Sequence, residues 1–173
     1  VEPNVLTYNA LIAACKNSGM WERALQVFEE MTHLGMKPNN FTYNSLISAC
    51  ERGHQLDKAF EIFAGMKDVG VMPDLISYNA LISACKGHWK KAFEIVEEMK
   101  RAGVTPDIFT YNSLISACEK GQQLDMAFDV LESMKSANVE PDVVTYNSLI
   151  TACKNAGMKE RAMMVFENLK EAG

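Results

Sequence analysis

The sequence predicts an all-α fold, an α-α superhelix (solenoid) of tandem helix-turn-helix repeats, on three observations. A nine-residue phrase returns five times, as TYNALIAAC, TYNSLISAC, SYNALISAC, TYNSLISAC and TYNSLITAC, starting at Thr7, Thr42, Ser77, Thr110 and Thr145. The starts are spaced by 35, 35, 33 and 35 residues, a period in the range of stacked helical repeats. Within each unit the apolar residues keep helical rather than strand spacing.

Helix A of each unit is predicted from the phrase itself. Tyr8, Leu11, Ile12 and Cys15 fall at i, i+3, i+4 and i+7, one buried face of an α-helix. Helix B follows about ten residues later, where Ala24, Phe28 and Met31 repeat the stripe and Leu56, Ala59, Phe60, Phe63 and Met66 widen it in the next unit. Helix B is expected to stop at Gly35, Gly70, Gly103, Asn138 and Gly173, the residue types that best tolerate the left-handed conformation closing a helix. Pro38, Pro73, Pro106 and Pro141 follow the first four stops, and Pro3 stands in the same place ahead of the first unit. The third unit is two residues short, a loss expected in the turn around Cys85 to Trp89, with Trp89 starting helix B as Trp21 does. One hairpin cannot bury its own apolar face, so the units are expected to stack as one solenoid domain over 1–173. Its repeats run 5–39, 40–74, 75–107, 108–142 and 143–173, with 1–4 as the tail of a preceding repeat.

Composition narrows the function classes. No apolar run approaches the ~18 residues of a membrane span, and no signal peptide is visible. A net charge of -5 argues against a protein that merely coats nucleic acid, because such binding rests on Lys and Arg neutralising phosphates. Cys15, Cys50, Cys85, Cys118 and Cys153 each stand without a second ligand at metal spacing, so they read as structural, and no metal or cofactor is expected. His33, His54 and His88 occupy unrelated repeat positions, and no Ser or Cys has a nucleophile's neighbours, so no catalytic residue is expected. The acidic pairs Glu29-Glu30 and Glu97-Glu98 read as solvated helix surface, and most of the eleven methionines as the buried stripe of helix B or its edges.

The face of helix A turned away from the buried stripe carries the candidate site. Asn9, Asn44, Asn79, Asn112 and Asn147 each follow a tyrosine, and three residues earlier stand Leu6, Phe41, Ile76, Phe109 and Val144. An amide with donor and acceptor beside an apolar plate, repeated once per unit, suits unstacked bases of single-stranded RNA. Local capping of helix A is the competing reading of these asparagines.

These features resemble the pentatricopeptide repeat family over nearly the whole chain, through the V-x-T-Y-N-x-L-I start, the A-x-x-x-F-x-x-M second helix and the G-x-x-P-[DN] end, as in Val143 to Ile150 and Gly70 to Asp74. The resemblance implies that the fifth and last residues of each repeat choose a base, while the second wedges between bases. The pairs are Asn9 with Asn39, Asn44 with Asp74, Asn79 with Asp107 and Asn112 with Asp142, with Asn147 unpaired at the chain end. Asn with Asp implies uracil, and Asn with Asn implies cytosine and less strictly uracil. The implied site is about 5′-CUUUY-3′, with the N-terminus toward the RNA 5′ end. A basic residue approaching phosphate is matched by Arg52 and Lys120. The resemblance further implies no enzymatic activity of the repeats themselves, a mitochondrial or plastid location, and RNA processing, stability, splicing, editing or translation as the setting. Two alternatives stay open, a protein-binding helical scaffold and the RNA-holding arm of a larger processing enzyme, along with a protein partner or a homodimer through uncapped ends. No membrane or small-molecule substrate is expected.

Overall fold

A computed structural model describes residues 3–172. Val1, Glu2 and the expected last stop, Gly173, lie outside them. The described residues form ten α-helices in two compact units, Val1–Ala84 and Cys85–Gly173.

The first unit holds α1 (Val5–Asn17), α2 (Trp21–His33), α3 (Asn40–Arg52), α4 (Leu56–Asp68) and α5 (Leu75–Ala84). Here α1 packs on α2 and α3, and α3 packs on α4 and α5, so each first helix touches its own partner and the next first helix. Tyr8, Ile12, Cys15, Ala24 and Met31 of the expected stripe form one buried cluster with Val27, Leu46 and Ala49, while Phe28 is only partly buried against it. Edge-to-face rings join consecutive repeats, Phe28 with Tyr43 at 5.6 Å and Phe63 with Tyr78 at 5.2 Å, each adding about 1 kcal/mol to simple burial. The second unit holds α6 (Trp89–Arg101), α7 (Ile108–Lys120), α8 (Leu124–Ser136), α9 (Val143–Asn155) and α10 (Lys159–Ala172). There α7 packs on α6, α8 and α9, and α9 packs on α8 and α10.

The expected stops hold for the described residues. Gly35, Gly70, Gly103 and Asn138 all take positive φ, between 55° and 79°. The next amide then reaches back to a buried methionine carbonyl, as from Val71 to Met66 at 3.0 Å, closing the last turn. A second set of left-handed residues, Gly19, His54, Gly87, Gln122 and Gly157, turns the chain between the two helices of each repeat. In all five repeats this turn brings an amide to the cysteine carbonyl, from five residues on in four of them, as from Gln55 to Cys50 at 2.8 Å, and from three residues on in the shortened third, from His88 to Cys85 at 2.8 Å.

Three expectations need correction. The shortened third repeat loses its length from helix A: α5 has 10 residues where the other first helices have 13, because Cys85 to Gly87 form a turn instead of a last helical turn. Leu11 is 45% exposed, whereas its equivalents Leu46, Leu81, Leu114 and Leu149 are buried; Leu46 is covered by the α1 and α2 side chains of its core cluster, and α1 is the first helix described. Of the methionines, Met31, Met66, Met99 and Met134, each seven residues after a core alanine, are buried, but Met20, Met72, Met158, Met163 and Met164 lie at other positions and are exposed. Glu30 is exposed, as expected, and additionally accepts a 2.7 Å hydrogen bond from the Tyr8 hydroxyl.

The tryptophans explain two glycines. A Cβ on Gly53 would sit 2.3 Å from Trp21 Cδ1, and one on Gly121 would sit 2.7 Å from Trp89 Cδ1. Each indole therefore lies flush on the end of the next repeat's first helix. Gly53→Ala should cost about 2 kcal/mol by displacing the ring, while His54→Gly next to it should gain about 0.5 kcal/mol by relieving a left-handed non-glycine residue. Urea unfolding of the two variants checks both signs.

Candidate nucleic-acid interface

Each first helix opens with the same local lock. Asn4, Asn39, Asp107 and Asp142 are N-caps in extended conformation, their side-chain oxygens accepting from the amide three residues on. Asp74 does the same, accepting from the Ser77 amide at 2.9 Å. The reciprocal bond comes from the third helical residue, always Thr or Ser: its hydroxyl accepts from the cap's own amide, at 3.1 Å for Asn39, Asp74 and Asp142 and 3.2 Å for Asp107.

That hydroxyl's one proton faces two acceptors, the cap's own side-chain oxygen at 2.9 to 3.1 Å and, closer, the previous repeat's asparagine. Thr42 donates to Asn9 Oδ1, Ser77 to Asn44 Oδ1 and Thr145 to Asn112 Oδ1, each at 2.6 Å. All three hydroxyl residues are fully buried. Because the asparagine oxygen is thereby occupied, its amide nitrogen is turned toward the cap: Asn44 Nδ2 donates to Asp74 Oδ1, and Asn112 Nδ2 to Asp142 Oδ1, both at 3.1 Å. One N–H of each amide remains for a further acceptor. Asn9 and Asn39 differ, since no hydrogen bond joins their side chains among the described residues, and Asn39 Oδ1 is taken by Thr42. Asn79 falls in the first unit and Asp107 in the second; Asn79 is half-buried, and Asp107 closes its cap with Thr110. Asn147 is exposed.

These asparagines are thus not helix caps, which removes the competing reading; the caps are the partners assigned to them. The cap role was legible as an Asn/Asp-x-x-Thr/Ser pattern ahead of an apolar run, a signal the sequence reading passed over. Burial pushes the Asp74 carboxyl up, but the Ser77 amide, Asn44, the Ser77 hydroxyl and Asn40 outweigh it and hold it below the usual carboxylate range. Asp142 is lowered in the same way, burial being overcome by the Thr145 amide, Asn112, the Thr145 hydroxyl and the Val144 amide. Both are anionic acceptors at neutral pH.

Around the Asn44–Asp74 pair the first unit forms a cleft of about 290 Å³. Phe41 and Ile76, second residues of consecutive repeats, line it together with Lys16 and Asn40. Leu6, Phe41, Ile76, Phe109 and Val144 are all exposed, by 55% to 76%, so these apolar side chains are held out of the core. Of the two basic residues expected near phosphate, Arg52 is exposed and absent from the cleft lining, and Lys120 is tied to Glu119 at 3.3 Å. Lys16, one position earlier on its helix, is the cation that reaches this cleft. The cysteines offer no competing chemistry: all five are buried and free, and burial pushes Cys50, Cys85 and Cys118 up to about 11, which keeps them protonated at neutral pH. Among the described residues no cluster could hold a metal ion, and no helix is long and apolar enough to cross a membrane.

The repeat signature decides the relationship. The PPR repeat family matches residues 3–52, 86–120 and 106–155; the related pentatricopeptide repeat domain and PPR repeat signatures match 42–88 and 144–173. The chain belongs to the pentatricopeptide repeat family. Its fold is the α-α helical-repeat superhelix of the pentatricopeptide repeat protein PPR10 from maize, which aligns over 100% of this chain with a TM-score of 0.81 and 31% identity. The chain spans only 25% of the length of that structure. PPR10 in complex with an 18-nt psaJ RNA element aligns over 99% of this chain and 30% of its own, with a TM-score of 0.66 and 27% identity. The PPR domain of Arabidopsis thaliana protein-only RNase P 1, solved with tRNA, shares the fold at a TM-score of 0.76 and 20% identity, over 92% of this chain and 86% of its own. No curated protein matches the sequence at a significant level.

The cap geometry gives a stability test. Asn caps as well as Asp, so Asp142→Asn should leave stability at pH 7 within about 0.5 kcal/mol of the parent, whereas Asp142→Ala should lose about 1 kcal/mol. Because the native carboxyls of Asp74 and Asp142 titrate below their unfolded values, their contribution is full above about pH 4 and is lost as pH falls through the lowered native values. The Asp74→Asn/Asp142→Asn double variant should accordingly show a shallower stability loss between about pH 4 and pH 2 in urea titrations.

Proposed function

We propose that this pentatricopeptide repeat chain binds single-stranded, pyrimidine-rich RNA, one base per repeat, near the sequence 5′-CUUUY-3′. The observation that carries the reading is the cleft in which Asn44 and Asp74 meet between Phe41 and Ile76. The spare Asn44 N–H beside the Asp74 carboxylate is a donor next to an acceptor. Uracil offers the complement, a carbonyl beside the N3–H, whereas adenine and cytosine place an amino group next to a bare ring nitrogen. Guanine shares the carbonyl and N–H arrangement, and the family pattern is what favours the pyrimidine. The Asn112–Asp142 pair has the same geometry and takes the same base; the Asn79 and Asp107 assignment rests on the repeat pattern. In the first repeat the carboxylate is replaced by the Asn39 amide, whose donors suit the N3 of cytosine.

The apolar second residues supply stacking contact of about 1 kcal/mol or more per base. With Lys16 as the one cation on the described cleft, phosphate contact is modest, and affinity for a five-base site should be on the order of micromolar. The PPR10 structure is a complex with an RNA element and the RNase P domain one with tRNA, which supports RNA as the ligand class. We place the protein in mitochondrial or plastid RNA processing, stability, splicing or translation, with the repeats acting as the RNA-holding part. An RNA-processing enzyme carrying this chain as its recognition arm fits the same geometry.

Fluorescence titration at low and physiological salt tests the reading. CUUUU should bind at least about tenfold tighter than AGGGG, a difference of ~1.4 kcal/mol. The Asp74→Asn/Asp107→Asn/Asp142→Asn variant should shift preference toward cytosine without unfolding. Equal affinity for both RNAs would remove the base-reading claim, and no binding at low salt would remove RNA as the ligand.

A further inference from the structure

The first residue of a repeat is apolar in four cases, Val5, Leu75, Ile108 and Val143, and is Asn40 in the second repeat. Asn40 stands on the first turn of α3, yet its side chain bonds to the far end of its own repeat. Its Nδ2 donates to the Met72 carbonyl at 3.0 Å and to Asp74 Oδ2 at 3.2 Å, which uses both amide protons. Asp74 is thereby held through both carboxylate oxygens, because Oδ1 accepts from Asn44 Nδ2 at 3.1 Å and from the Ser77 amide at 2.9 Å. The equivalent carboxylate of the fourth repeat, Asp142, is held differently. Asn112 and the Thr145 hydroxyl reach its Oδ1, and among the described residues no side chain donates to its Oδ2. Ile108 stands there in the place of Asn40 and has no side-chain hydrogen to give.

A carboxylate oxygen carries two lone pairs, so Asp74 Oδ2 keeps one for an N3–H in the cleft while Asn40 occupies the other. Uracil therefore meets an acceptor already in place. Cytosine turns a bare N3 toward the carboxylate and an amino group toward the spare Asn44 N–H, which sets acceptor against acceptor and donor against donor. Relief requires the carboxylate to turn away. In the second repeat that turn breaks the bond from Asn40 as well as those on Oδ1, and in the fourth repeat there is no such bond to break. Discrimination is a difference of affinities, and a site whose groups are held from behind penalises the wrong ligand most.

We propose, resting on the base-reading function above, that Asn40 is a positioning residue for the second base: by holding Asp74 Oδ2 it makes the second repeat reject cytosine more strictly than the fourth. Fluorescence titrations of the whole chain with CUUUU, CCUUU, CUUCU and AGGGG test it. In the parent, cytosine at the second base should weaken binding about fivefold more than cytosine at the fourth, the worth of one hydrogen bond. Asn40→Val, with the residue that the first and fifth repeats carry at this place, should bring the second-base penalty down to that at the fourth base. Ile108→Asn should raise the fourth-base penalty about fivefold and leave the second unchanged. Equal penalties at the two bases in the parent would overturn the inference. So would an Asn40→Val variant that keeps the second-base penalty, including one that weakens every RNA by the same factor, as loss of a mere strap between α3 and the repeat's end would. Either result leaves the base-reading function standing, whereas CUUUU binding no tighter than AGGGG in the parent would overturn both.

Discussion

A single buried hydroxyl at the third residue of the later first helices, from Thr42 onward, ties local structure to recognition. In Thr42, Ser77 and Thr145 it accepts from the cap residue's amide and donates to the asparagine of the repeat before. A hydroxyl can do both because it carries one proton and two lone pairs. The result couples three things that a helical stack must otherwise set separately: where a helix begins, how it sits against the previous helix, and which way the previous repeat's amide faces. Removing the hydroxyl would leave a buried or half-buried Asn oxygen without its donor, which costs more than the bond itself was worth.

The same coupling explains why the cap residue can vary between Asn and Asp. Both accept from the helix amides equally well, so the fold is indifferent to the choice. The ligand is not indifferent, because a carboxylate only accepts while an amide also donates. Specificity can change at this position with little penalty in stability, an arrangement suited to a modular repeat. Where side chains do pack repeat to repeat, tolerance disappears: Trp21 on Gly53 and Trp89 on Gly121 leave no space for a methyl group.

Differences among nearly identical repeats are informative for the same reason. Asn40 holds Asp74, and Ile108 in its place offers Asp142 no hydrogen bond. Lys16 reaches the described cleft, while Lys120 is held by a neighbouring carboxylate. Such changes are invisible to the period, which registers only the shared positions.

The sequence by itself determined the hairpins and their stops, because helical periodicity, left-handed glycines and a 35-residue repeat are local or counted properties of the chain; the pairing of Asn44 with Asp74 came from the family resemblance. The sequence even carried the cap pattern in Asn39 to Thr42 and Asp74 to Ser77. Tertiary structure alone decided that the asparagines are oriented by the next repeat's hydroxyl, that Leu11 is exposed while Leu46 is buried, and that Asn40 reaches Asp74. Each of these depends on atoms about thirty residues apart in sequence coming within contact distance, and no spacing rule within one helix reports which neighbour a side chain will meet.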